Sequence, residues 1–265
     1  MNLDLAGKCA IVGGASQGIG YGIAHLLAAE GASVAITARR EADLRAAAAK
    51  IGSETGAEIL PVQADCRQGA DCERVVKTVI DAFGHIDILV NNAGIAGLHR
   101  FLDQPLDDWD RVLRVNLTGT FLCGQMAASI MARRGSGRII NIASVSGIRA
   151  GSGRTAYGVS KAGIIMLTRQ MALELGRFGV TANAVAPGPV ETPMVTQSHT
   201  PETRSFFHRS VPLRRYGLPE EIAGAVSYLA DDDAAYVNGH VLCVDGGFTS
   251  SGIIADDVGD KLEER

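Results

Sequence analysis

The stretch Val12-Gly13-Gly14-Ala15-Ser16-Gln17-Gly18-Ile19-Gly20 decides the fold. It follows a short apolar run, Cys9–Val12, and opens an Ala/Leu-rich segment, Ile19–Ala29, so it reads as strand, glycine turn and helix in succession. Glycines at 14, 18 and 20 permit a tight turn, close approach of backbone to a pyrophosphate, and close packing of helix on strand. The helix amino terminus adds N–H donors and the positive end of a dipole. Glycine also serves ordinary turns, and it is the position between strand and helix that makes this a dinucleotide-binding candidate.

Outward from that turn the same alternation continues. Further strands are expected at Ser33–Ala38, Ile59–Ala64, Ile88–Asn91, Arg138–Ala143, Val180–Ala186 and His240–Val244, most of them apolar throughout, as strands covered on both faces should be. Helices are expected at Glu41–Ile51, Ala70–Phe83, Asp107–Arg133, Ala156–Phe178 and Pro219–Ala230. The fold class is therefore α/β: one doubly wound, Rossmann-like domain over 1–250 with a seven-stranded parallel sheet in three layers. The connection 192–217 fits neither period and holds Pro193, Pro201 and Pro212, which marks it as a substrate-binding lid. Its Met194, Val195, Phe206 and Phe207 either line a pocket or staple the excursion to the surface. Residues 251–265 form a carboxyl-terminal tail, read as a frayed terminus or a subunit contact.

With 265 residues and 46% hydrophobic content the chain can bury a full core, which excludes disorder and a miniature disulfide scaffold. A formal net charge of −4 argues against a nucleic-acid partner. Cys9, Cys66, Cys72, Cys123 and Cys243 are odd in number and form no CxxC, so a reducing compartment fits best. No leader pattern and no bilayer-length apolar run is present, which gives the expectation of a soluble cytoplasmic protein without a membrane partner. The histidines, His99, His199 and His208 among them, show no metal-ligand spacing and are read as surface residues, so no metal is expected.

The chemistry rests on a second constellation. Tyr157 and Lys161 stand four apart on a helix and so share a face, while Ser144 lies just past a strand. A phenol of pKa about 10 needs a nearby cation to work as a base at neutral pH, and Lys161 is placed to be that cation. A Tyr-xxx-Lys pair alone also describes a solvated polar pair on a helix face.

Taken together, GGASQGIG at 13–20, NNAG at 91–94, Asn116 in VNLTG, Ser144 in NIASVSG, Tyr157 and Lys161 in YGVSK, Pro187-Gly188 in NAVAPG and VDGG at 244–247 resemble the short-chain dehydrogenase/reductase family over residues 3–248. Order and spacing match, including thirteen positions from Ser144 to Tyr157. The resemblance implies strand order 3-2-1-4-5-6-7, with Tyr157 as general acid/base, Lys161 lowering its pKa and holding the nicotinamide ribose, and Ser144 on the substrate oxygen. It implies that Asn116 holds a water linking Lys161 to solvent. The cofactor would be met by Gly14, Ser16, Gln17, Gly18, Ile19 and Gly20 at the turn, Asp65 and Cys66 beside adenine, and Asn91, Ala93 and Gly94 along the adenosine ribose. Pro187, Gly188, Val190 and Thr192 would lie at the nicotinamide. Gly13 replaces the family's usual Thr, which removes a side-chain bond to the turn. The short amides Asn91, Asn92 and Asn116 could also simply tie off backbone groups, and Ser146 is a second hydroxyl near the site.

The implied activity is hydride transfer between a nicotinamide cofactor and a small-molecule ketone or secondary alcohol. A reductase of a small or sugar-like ketone is the first reading. A 3-oxoacyl-[acyl-carrier-protein] reductase is the second, with Arg133, Arg134 and Arg177 offered to an acidic carrier. A catalytically silent cofactor-binding regulator is the third. Arg149 and Arg154 meet an anionic substrate or face water. For the cofactor, Ala38 stands where a carboxylate would mark NAD(H), and Arg39 and Arg40 follow it. Cations at a helix amino terminus oppose the dipole, whereas a phosphate would be bound by guanidinium, so NADP(H) is expected ahead of NAD(H). The alternative is that Glu41 and Asp43 merely pair with these arginines. A homotetramer is expected, with apolar Met126, Ala127, Ile130 and Met171 on the two long helices in one interface, unless these complete the core of a monomer.

Overall fold

The computed structural model describes residues 4–252. Sixteen of its elements follow one another as β1 Cys9–Gly13, α1 Gly18–Ala29, β2 Ser33–Ala38, α2 Glu41–Thr55, β3 Ile59–Gln63, α3 Gly69–Phe83, β4 Ile88–Asn91, α4 Leu106–Leu113, α5 Gly119–Arg134, β5 Gly137–Ile142, α6 Thr155–Leu175, β6 Val180–Pro187, α7 Pro193–Ser198, α8 Pro201–Ser210, α9 Pro219–Ala230 and β7 Val241–Val244. The sheet runs β3-β2-β1-β4-β5-β6-β7 with every pair parallel. The strand order reverses between β1 and β4, and a crevice opens there beyond the carboxyl ends of the strands.

Successive residues of β1 feed different cores because side chains alternate across a strand. Ala10 and Val12 join the layer under α1, α2 and α9, with Ile36, Leu44 and Val226. Cys9 and Ile11 face the opposite layer, with Val79, Met131 and Val180. Each fully buried aliphatic side chain of this kind stabilises by about 1.5–3 kcal/mol. The sheet therefore holds its strand ends, and the site at them, in fixed places.

Two segments differ from the sequence reading. The long helix expected over 107–133 is broken by a π-helical turn at Arg114–Thr118, between α4 and α5. This wide turn carries Asn116, which is fully buried, and such turns often occur at functional sites. The irregular connection after β6 holds two short helices. Thr192 Oγ1 accepts from Val195 N (3.3 Å) and Thr200 Oγ1 from Thr203 N (3.3 Å), each followed by proline at the first helical position. Thr-Pro pairs are a helix-start signal that the period alone overlooks. The tail 251–265 lies outside the described residues from 253 onward.

Ala127 and Met171, expected at a subunit interface, instead belong to the internal core, and Met126 and Ile130 are half-buried. The apolar side chains that α5 and α6 expose are others, Phe121, Val159, Met166 and Leu173. Among the described residues no helix is long and apolar enough to cross a membrane.

Candidate active site

At the first turn, Gly14 (φ +64°) takes a backbone conformation that side chains rarely adopt, and a Cβ there would stand 2.8 Å from Ala93 Cα. A Cβ on Gly20 would collide with the Asn92 amide nitrogen and Gly14 O. Asn92 braces the turn by donating to Gly13 O (2.9 Å) and Gly14 O (3.1 Å). The loop thus gains from Asn92 the side-chain support that a residue at 13 does not give. Asn91, expected beside the ribose, turns away: it donates to Asn141 Oδ1 (2.9 Å), which sits beneath α6 through Thr168 (2.9 Å), and it does not reach the cavity wall. The physical reason is strand alternation, since neighbours on β4 and just past it point to opposite sides.

The turn forms one end of a cavity of about 740 Å³. Ser16, Gln17, Gly18, Ile19, Arg39, Arg40, Asp65, Cys66, Ala93, Gly94, Pro187, Gly188, Val190 and Thr192 all line it. Arg40 pairs with Asp43 (2.5 Å) and Glu41 with Arg45 (2.7 Å), so Glu41 and Asp43 leave Arg39 without an ion pair among the described residues. Asp65 is clasped by Arg67 (2.5 Å), which holds its carboxyl below the usual range. Burial pushes the Cys66 thiol up to about 11.

The far end carries the reactive groups. Ser144 follows β5, is buried, and accepts from Ser146 N (3.1 Å). Tyr157 and Lys161 project from the first turns of α6. Lys161 is buried, donates to Ile142 O (2.8 Å), and is pushed down to about 8 by burial. A Cβ on Gly94 would lie 3.4 Å from Asn116 Oδ1 and 3.5 Å from Lys161 Nζ, so glycine leaves room for both. Asn116 stands behind the cavity wall, accepting from Ile95 N (2.8 Å) and donating to Ile95 O (3.0 Å) and Ser160 Oγ (3.0 Å). It ties the β4 loop to α6, the bracing role that short amides often play.

Burial pushes Tyr157 up; a hydrogen bond with Ser144 and the charge of Arg154 offset this in part. Lys161 Nζ sits 5.7 Å from the ring centroid with its proton aimed at Ile142 O, and Arg154 Cζ lies 5.5 Å from the same centroid.

Over this end sits the segment 192–217. Met194, Val195 and Phe207 line the cavity, while Phe206 is half exposed off the wall and packs its edge against Phe207. His199, read as a surface residue, faces the cavity: Nδ1 meets Tyr216 OH (2.9 Å) and its ring stacks on Phe207 (5.4 Å). Arg204 grips Glu191 (2.7 and 3.1 Å) and covers the Tyr216 ring (5.0 Å). Arg149 leaves the site for Phe248 O (2.6 Å), while Arg154 lines it. Asn92 ties off backbone carbonyls, as the reading of the short amides allows, whereas sequence reading missed His199 and Tyr216, since nothing in local spacing links residues 17 apart.

The arrangement fits a dinucleotide. The glycine turn at the start of α1 admits backbone close to a pyrophosphate, and the same continuous cavity ends at a phenol, a hydroxyl and an amine. Among the described residues no cluster of His, Cys, Asp or Glu could hold a metal ion.

Residues 14–249 match a family model described as enoyl-(acyl carrier protein) reductase. The chain is 41% identical, over 92% of its length and 97% of the other, to 3-oxoacyl-[acyl-carrier-protein] reductase of Synechocystis. It is 40% identical, over 92% and 98%, to a subunit of (2S)-[(R)-hydroxy(phenyl)methyl]succinyl-CoA dehydrogenase of Thauera aromatica. Among solved structures, levodione reductase superposes with a TM-score of 0.91 at 35% identity, over 93% of this chain and 99% of the other. Fold, site and relatives define an NAD(P)-dependent oxidoreductase that acts on a ketone or secondary alcohol. The chain belongs to the short-chain dehydrogenase/reductase family.

Proposed function

We propose that the protein reduces the 3-oxo group of an acyl thioester with NADP(H), using Tyr157 as general acid. The observation that carries the reduction is the convergence of Ser144, Tyr157 and Lys161 at one end of the cavity that begins at the glycine turn. The acyl thioester is favoured over a sugar-like ketone by the relatives, among them the Synechocystis 3-oxoacyl reductase and the Thauera CoA-thioester dehydrogenase. Reduction of a free cyclic ketone is the second reading, favoured by likeness to levodione reductase.

The pyrophosphate would lie on the turn from Gly14 to Gly20, a 2′-phosphate on Arg39 with Ser16, adenine beside Asp65, and the nicotinamide near Val190 and Thr192. Reduced nicotinamide, when bound, supplies the hydride. Ser144 then hydrogen-bonds the carbonyl oxygen as negative charge gathers on it. Tyr157, kept protonated by its buried setting, delivers its proton to that oxygen. Lys161 holds the nicotinamide ribose, and Asn116 fixes the turn through which a water links Lys161 to solvent. The 192–217 lid closes over the substrate.

Arg133, Arg134 and Arg177 do not serve a carrier in this reading. Arg133 and Arg134 end α5 and Arg177 follows α6, next to the starts of β5 and β6, at the end of the strands opposite the cavity. Arg134 pairs there with Asp87 (3.1 Å) and Arg177 stacks on Phe178 (4.6 Å). The chain is proposed to assemble as a homotetramer through Phe121, Val159, Met166 and Leu173 on α5 and α6, and light scattering checks the mass. The test of function is a panel of acetoacetyl thioesters, on N-acetylcysteamine and on carrier protein, against free ketones. Thioesters turning over faster than every ketone support the proposal; ketones turning over faster overturn it in favour of the second reading.

A further inference from the structure

We propose that the substrate carries a carboxylate a few bonds from its reacting carbonyl, and that Arg154 recognises it. This rests on the proposed reduction only for the position of the reacting carbon, beside Tyr157. Arg154 directly precedes α6, lines the cavity, and holds its guanidinium carbon 5.5 Å from the centroid of the Tyr157 ring. Among the described residues it makes no ion pair, whereas Arg67, Arg111, Arg204 and Arg215 each grip a carboxylate.

No acid nearby is placed to neutralise it. Asp65 is the single carboxylate among the described lining residues, and it lies at the adenosine end in the grasp of Arg67. The first turn of α6 has no acidic residue. Asp108 is held through Oδ1 by Arg111, and its buried Oδ2, without a hydrogen-bond partner, faces His99 (3.1 Å), whose backbone neighbours that of Arg154. From the lid His199 faces the same space, and the charge of Arg154 is one of the causes that push its imidazole down. A half-buried guanidinium against an aromatic ring, without a counter-charge, is costly to keep and presents two parallel donors of the geometry a carboxylate accepts.

Proximity selects the source of the anion. The phosphate of a carrier or coenzyme arm is separated from the thioester by a long chain, while Arg154 stands against the ring that protonates the carbonyl. The anion is therefore part of the acyl group.

The probes are 3-oxoadipyl and 3-oxopimelyl thioesters of N-acetylcysteamine, each paired with its neutral methyl ester. Dissociation constants are measured by calorimetry on the protein with oxidised cofactor, where no reduction takes place, so the result stands whether or not the compounds turn over. At least one acid is expected to bind about 10-fold or more tightly than its ester, as charged hydrogen bonds of about 1.5–3 kcal/mol imply. Arg154→Gln is expected to erase that ratio and Arg154→Lys to restore part of it. Equal binding of acid and ester in the unaltered protein overturns the proposal. So does an Arg154→Gln variant that keeps the ratio, or that weakens acid and ester equally, since Arg154 would then serve only the phenol. Failure of all four compounds to turn over with the binding ratio intact breaks the proposed reduction and leaves the anion site standing.

Discussion

The two ends of the cavity are built by different means. At the cofactor end the shape is set by backbone: glycines in positions closed to side chains, an asparagine clamped on two carbonyls, and strands whose apolar residues are wholly buried. At the other end, α7 and α8 contribute no buried residue and meet their surroundings through side chains, His199 with Tyr216 and Phe207, and Arg204 with Glu191, while backbone bonds fasten only the far end of the segment, Leu213 to Gly246 and Gly217 to Pro189. Few buried apolar contacts mean low local stability. The glycine-turn end is thus fixed by backbone, and the proposed substrate layer by contacts that single substitutions can change.

The largest effect should come from breaking the rigid end. Gly14→Val adds a branched side chain where a Cβ alone meets Ala93 backbone at 2.8 Å and where φ is positive. Cofactor affinity should fall at least about 100-fold, since strain of this kind costs several kcal/mol; fluorescence titration with NADPH measures it, and unchanged affinity would refute the backbone account. Next, Arg39→Gln should lower the ratio of kcat/KM for NADPH over NADH by about 10–100-fold, the worth of charged bonds to phosphate. An unaltered protein that prefers NADH would remove Arg39 from that role.

Lys161→Met offers a test on stability. The folded pKa of Lys161, about 8, lies below its ordinary 10.5, so the unfolded chain binds the proton more tightly and the stability of the native protein rises with pH between those values. Below pH 8 the buried ammonium costs up to about 3 kcal/mol, and Ile142 O loses its donor in the variant, so the gain at pH 7 should be about 1–3 kcal/mol. Urea unfolding should show the gain shrinking from pH 8 to 10.5; a variant less stable at pH 7 would contradict the burial argument. The smallest effect belongs to the lid: Tyr216→Phe removes the hydroxyl at His199, worth about 0.5–1.5 kcal/mol, and should raise the substrate KM a few-fold with cofactor affinity unchanged.

The same division governs what sequence reading reached. Strands such as Ser33–Ala38 and Ile88–Asn91 were legible to the residue because apolar runs between turn signals report burial on both faces. Ser144, Tyr157 and Lys161 were legible as motifs with fixed spacing. Asn91 was placed a residue out of phase with the cavity, where Asn92 does the bracing, because alternation along β4 depends on where the strand ends. The phenol's upward shift was not legible, since burial is a property of the packed site. His199 faces the cavity through tertiary packing that leaves no periodic trace, while of Arg149 and Arg154, both read as substrate contacts or solvated, Arg154 lines it.

The most direct measurement of the central claim, that a rigid cofactor end is joined to separate proton-transfer chemistry at Tyr157, takes Tyr157→Phe. The ring stays and the proton donor goes. Turnover of an acetoacetyl thioester with NADPH should fall at least about 100-fold while the dissociation constant for NADPH stays within about two-fold of the unaltered protein. Near-normal turnover, or loss of cofactor binding in step with turnover, would contradict the account.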